Sequence, residues 1–141
     1  MGESAPIEPP SGSSGLRILV VDDNEASAKM LGWSLELMGH EIWLAHDGAN
    51  ALALALDFKP QVVLMDLSLP GLNGYELCRI MLSEYGFDQT LFIAQTGWSE
   101  EEYRKRSREA GFAHHMVKPI DMVRLEKVLL EHKAHLHEPT V

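Results

Sequence analysis

Short apolar runs recur along the chain, and four of them stop at a polar residue capable of chemistry. Ile18-Leu19-Val20-Val21 stops at Asp22-Asp23 and Val62-Val63-Leu64-Met65 at Asp66, while two later runs end near Thr96 and at Lys118. Unbroken runs of this length, partly β-branched, read as buried strands. The stretch from Val62 to Gly71 is the sharpest, because its apolar run ends in a carboxylate and a Pro-Gly breaker follows four residues later. Taken singly, each acid has the ordinary explanation of a helix cap or turn residue.

Between the runs lie segments of helical period. A first strand at about Arg17 to Val21 leads to a helix from about Glu25 to Met38, with Ala28, Leu31, Leu35 and Met38 on one face and Gly39 ending it. A second strand, Glu41 to Ala45, is followed by an Ala/Leu helix capped by Asp47 and halted at Phe58 by Pro60. The third strand is Gln61 to Met65. Asn73 and Glu76 have capping-box spacing and predict a helix from Gly74 to Glu84. Strand four, about Thr90 to Gln95, precedes a helix started by Ser99 and Glu102 and stopped after Ala110 by Gly111. Strand five is about Ala113 to Val117, and Asp121 caps a last helix that carries Met122, Leu125, Val128 and Leu129 inward to about His132. Five strand-helix units in strict alternation predict an α/β fold with a parallel sheet and helices on both faces. Two winding orders are common for such sheets. In the flavodoxin-like order 2-1-3-4-5, strands one and three are central neighbours and Asp22, Asp23 and Asp66 meet in one crevice.

Composition narrows the classes. At 141 residues and 45% apolar content the chain suits one domain. Residues 1–15, rich in Pro, Gly and Ser, read as a leader or linker, residues 16–133 as the domain and 134–141 as a tail. A net charge of −9 argues against nucleic acid as a partner. The cationic cluster Arg104-Lys105-Arg106 with Arg108 follows Glu100-Glu101-Glu102 at pairing distance and reads as a solvated helix face. Cys78 is the only cysteine, which fits a reducing compartment and a small buried side chain. No apolar run reaches the roughly 20 residues that cross a bilayer, and no secretory signal opens the chain. The expectation is a cytoplasmic protein without membrane contact.

The polar strand ends form a set. Three carboxylates in one crevice repel, and a divalent cation relieves that repulsion. All-oxygen ligands favour Mg²⁺, or Mn²⁺, over zinc. Lys118 supplies a cation for a phosphoryl oxygen and Thr96 a hydroxyl donor, so the set suits phosphoryl transfer to an aspartate.

Over residues 16 to 133 the chain resembles the receiver domains of two-component response regulators. The matching pieces are Val20-Val21-Asp22-Asp23-Asn24-Glu25, Met65-Asp66-Leu67-Ser68-Leu69-Pro70-Gly71-Leu72-Asn73-Gly74, Thr96-Gly97 and Lys118-Pro119. The resemblance implies a phosphoacceptor Asp66, metal binding by Asp23 and Asp22, and a metal-facing backbone carbonyl at Ser68. It assigns Thr96 the switch hydroxyl and Lys118 the phosphate contact, with a cis Lys118-Pro119 bond. Gly97 would leave the phosphate approach open, Ser68 and Trp98 would tune water access, and Trp98 would shield the acyl phosphate. The implied partner is a histidine kinase or a histidine phosphotransfer protein.

One position departs from the family pattern. Three residues before the conserved Lys, receivers carry an aromatic switch residue, and here it is His115. The run from Gly111 to Pro119 is similar to receivers attached to hybrid histidine kinases, so the chain is expected to be an excised hybrid receiver or a single-domain regulator. The weakly apolar helix from Glu100 to Ala110, with Tyr103, Ser107 and Ala110 inward, would join strand five and the last helix as the signalling face and as a surface for a homodimer. An exposed edge helix is the plainer reading. His114 and His115 invite a metal-pair reading, but adjacent strand residues point to opposite faces and do not easily share one ion; for His132, His135 and His137 adventitious metal binding competes with a frayed terminal helix, which is the favoured reading. Two other functions compete: a pseudo-receiver that only binds partners, and a phosphatase of the haloacid dehalogenase type. The latter places its nucleophile after strand one as Asp-x-Asp, whereas here the doublet is contiguous.

Overall fold

Each apolar run pairs with another run, as the alternation requires. The structure is a computed structural model that describes residues 15–69, 73–97 and 101–137. Strands β1 (Arg17–Val21), β2 (Glu41–Ala45), β3 (Val62–Asp66), β4 (Leu91–Thr96) and β5 (His114–Val117) form one parallel sheet in the order β2-β1-β3-β4-β5. That is the flavodoxin-like order. Helices α1 (Glu25–Leu37), α2 (Gly48–Phe58), α3 (Gly74–Glu84), α4 (Glu101–Ala110) and α5 (Met122–Leu136) fill the crossovers.

Strand alternation sorts the core into two layers. Ile18, Val20, Val62, Leu64, Ile93 and Met116 face α1 and α5, where Ala28, Leu35, Leu125, Val128 and Leu129 complete a cluster. Leu19, Val21, Val63, Met65, Phe92 and Ala94 pack with Ala51 and Ala55 of α2, Leu77, Cys78 and Met81 of α3, and Ala110 of α4. Burial pushes the Cys78 thiol up to about 12, so it behaves as a small apolar side chain. Asn24, Asp47, Asn73 and Asp121 each accept a hydrogen bond from a backbone amide of the helix that follows.

Several boundaries differ from the sequence reading. β3 and β4 each begin and end one residue later than predicted, because Asp66 pairs in register with Gln95 and Thr96 with Val117. Asp66 and Thr96 are therefore held by the sheet itself rather than by the loops beyond it. α1 ends one residue early, with Met38 as its cap. α5 continues four residues past His132 instead of fraying, because Leu136 returns one heptad after Leu129 and packs against the α1/α5 cluster. The predicted start of α4 at Ser99 lies outside the described residues.

Candidate functional site

Asp22 directly follows β1, and its burial is imposed by the main chain. Its amide donates to the Ala45 carbonyl at 3.0 Å, extending the ladder with β2, and only 2% of the residue is exposed. One carboxylate oxygen, Oδ1, accepts from the Asn24 amide at 3.0 Å. His46 Nδ1 lies 3.0 Å from the Asp22 carbonyl oxygen. A carbonyl can only accept, so that ring nitrogen carries the proton. Asp66, 6% exposed, ends β3, and its Oδ1 accepts from the Ser68 amide at 2.8 Å.

Lys118 joins the two acids. Its amide donates to the Thr96 carbonyl at 2.7 Å, which anchors it to the end of β4. Its Nζ then reaches Asp66 Oδ2 at 2.8 Å and Asp22 Oδ2 at 3.1 Å. Burial alone would lower the ammonium pKa, but hydrogen bonds and charge from Asp66 and Asp22 outweigh it and raise the value. The Lys118–Pro119 peptide bond is cis.

Asp23 is exposed, yet a carboxylate oxygen from each of Asp22, Asp23 and Asp66 lies within 4.8 Å of the others. Three acids against one ammonium leave a local charge of about −2, and the donors are hard oxygens. That set fits a small divalent cation such as Mg²⁺ and does not resemble a zinc site. Among the described residues this is the one group of three or more His, Cys, Asp or Glu side chains placed to hold a metal; the histidines of α5 form no such group.

The packing around the acids is close. An added Cβ at Gly74 would stand 2.9 Å from the Asp66 carbonyl oxygen and 3.0 Å from Leu67 Cα, so glycine lets α3 begin directly against the strand end. At Gly97, beside Thr96, an added Cβ would meet no atom of the described residues within 4 Å. Ser68 is exposed and Thr96 buried. Trp98 lies outside the described residues.

His115 is only 6% exposed and sits on the α4 side of the sheet, in register with Ala94. Its Nδ1 is 2.9 Å from Ser107 Oγ, which donates its single proton to the Tyr103 carbonyl at 2.9 Å. Ser107 must therefore accept from His115, which fixes a proton on Nδ1. Ser107 and Ala110 are buried and Tyr103 half-buried, the inward stripe expected for α4. His114, on the opposite face, has its pKa lowered by burial and then by the Arg124 charge, against Glu131.

Sequence reasoning missed two site residues. His46 follows β2 with no local signal of its role. Gln95 carried a signal, a polar residue closing the run Phe92-Ile93-Ala94 on the face of Ile93. It is 2% exposed, and its Nε2 is buried without a hydrogen-bond partner among the described residues.

Comparison with known proteins assigns the family. The profile described as "Response regulator receiver domain" matches residues 18–130. The chain is 34% identical over 113 residues to Protein PilH of Pseudomonas aeruginosa, covering 80% of this chain and 93% of that protein. It is 35% identical over 130 residues to Virulence sensor protein BvgS of Bordetella bronchiseptica, covering 89% of this chain but 10% of that protein. Among solved structures, the chemotaxis response regulator CheY4 of Vibrio cholerae superposes with a TM-score of 0.77 at 25% identity, covering 84% of this chain and 99% of that one. Two-component signalling is thus the setting, and the chain belongs to the response regulator receiver domain family.

Proposed function

We propose that this receiver accepts a phosphoryl group on Asp66 from a phosphohistidine of a histidine kinase or histidine phosphotransfer protein. The observation that carries the reading is the Lys118 ammonium bridging Asp66 and Asp22 at 2.8 and 3.1 Å beside the exposed Asp23. An Asp66 carboxylate oxygen attacks phosphorus, the partner's P–N bond breaks, and its electron pair stays on the imidazole nitrogen. Lys118 follows the charge onto a phosphoryl oxygen, and the Thr96 hydroxyl donates to another. Asp22, Asp23, Asp66 and the Ser68 carbonyl are the ligands proposed for Mg²⁺, or Mn²⁺, which when bound neutralises charge on the transferred group. With no described atom within 4 Å of an added Cβ at Gly97, the small residue there favours approach of the donor.

The signal leaves through α4, β5 and α5. His115 occupies the switch position and is tied to α4 by Ser107, so a shift of Thr96 toward the phosphoryl group would release or tighten that tie. The same face is the surface proposed for a homodimer. The similarity to a segment of BvgS, over 89% of this chain, supports work as the receiver of a larger sensor kinase.

Intact-mass measurement with acetyl phosphate and Mg²⁺ tests the acceptor. One added phosphate is expected in the native chain and none in Asp66→Asn. A label that persists in Asp66→Asn overturns the assignment, and an unlabelled native chain favours a module that only binds partners.

A further inference from the structure

We propose that the cavity between α1 and the segment joining β5 to α5 binds a small neutral molecule with an apolar body and one carbonyl-type oxygen. The cavity measures about 460 Å³, within the range of small-ligand sites. Met30, Leu31, Pro119, Ile120 and Met122 supply apolar walls, and thioether side chains adapt readily to an occupant.

Gln95 supplies the polar contact. It lies on the α1/α5 face of the sheet, two residues beyond Ile93, and lines this cavity. Its side-chain amide nitrogen is buried without a hydrogen-bond partner among the described residues, a costly condition, and rotation of that side chain toward the cavity it lines would bring the N–H to a ligand oxygen. Asp22 and Lys118 line the same cavity, and Asp23 and Asp66 lie close by. Lys118 is already bonded to two carboxylates, so an anionic ligand would meet net negative charge. A neutral acceptor avoids that repulsion, and a hydrocarbon leaves Gln95 unsatisfied.

An occupant here rests against the ion pair that holds Asp66, so binding and phosphoryl acceptance would be linked. That linkage rests on the function proposed above, whereas binding itself needs no phosphorylation and is tested without it.

The test is a ¹H–¹⁵N titration of the full chain with acetanilide, using phenylacetate and ethylbenzene as comparators. Acetanilide should saturably shift the Gln95 side-chain amide pair with the backbone amides of Met30 and Ile120. Gln95→Leu should weaken it about fivefold, the usual worth of one hydrogen bond. Phenylacetate should bind more weakly than acetanilide, and ethylbenzene should leave the Gln95 pair unmoved. Met30→Trp crowds the cavity from an exposed position on α1 and should also weaken acetanilide, which covers the case of a misfolded Gln95→Leu. No saturable shift at these residues, unchanged affinity in a folded Gln95→Leu, unchanged affinity in Met30→Trp, or tighter binding of phenylacetate overturns the proposal.

Discussion

Lys118 shows at residue scale what position along the chain cannot. The sequence places it at the end of an apolar run, but its two partners, Asp22 and Asp66, are 96 and 52 residues away. Removing its charge as Lys118→Met leaves two buried carboxylates facing each other. With Lys118 about a third exposed, solvent screens part of that cost, and a loss of about 1–2 kcal/mol is expected at neutral pH. The raised pKa makes this contribution complete below the ordinary lysine value and lost only as pH rises through the folded value. Urea unfolding with and without Mg²⁺ checks it: the variant should be less stable without the ion and regain much of the difference with it. Equal stability in both conditions would mean the ammonium is not the counter-charge of the site. Asp22, Asp66 and Lys118 were legible because each ends an apolar run, and Asp23 and Thr96 because they lie beside such ends and four motifs occur in order. The His115–Ser107 bond and the unpaired Gln95 amide were not, since both depend on which side chains face each other across the sheet.

At the scale of elements, alternation and caps carried most of the information. The capping residues Asp47, Asn73 and Asp121 behave as their spacing suggested, because a cap is a contact within a few residues. Strand ends were read one residue short in β3 and β4, since ladder pairing with a neighbour decides where a strand stops. The C-terminus of α2 shows a local compromise. Lys59 adopts a left-handed conformation, φ 54°, between the helix and Pro60, and its carbonyl accepts from Arg17 Nε at 3.0 Å. A side chain is strained there and glycine is not. Lys59→Gly should raise stability by about 0.5–1 kcal/mol in urea unfolding, while the backbone contact to Arg17 is kept. A loss of stability would show that the lysine side chain matters more than its backbone angle.

For the molecule as a whole, the strict alternation of five units predicted a doubly wound sheet but left two common orders open, and the structure has the flavodoxin-like one. That order brings the ends of β1, β3, β4 and β5 to one pole. Three histidines elsewhere have lowered pKa values. Burial acts first in each, joined by the Lys133 charge at His40, by Arg124 at His114 and by His135 and His114 at His132. Because these rings resist protonation only when folded, the unfolded chain binds more protons as the solution is acidified. The stability they contribute is complete above the ordinary histidine value and is lost as pH falls through the lowered folded values. The urea midpoint should therefore fall between about pH 7.5 and about pH 5.5, and His114→Gln should flatten part of the slope. A midpoint independent of pH over that interval contradicts the assignment.

The central claim is that the carboxylate at the end of β3 becomes an acyl phosphate with help from its neighbours. Borohydride reduction of the acetyl phosphate-treated chain, followed by peptide mapping, tests it most directly because hydride reduces the carboxyl that carries the phosphate and expels the phosphate, marking that residue. The account predicts conversion of Asp66 to homoserine in the presence of Mg²⁺ and none after chelation. Homoserine at another aspartate, or equal conversion without the metal, would contradict it.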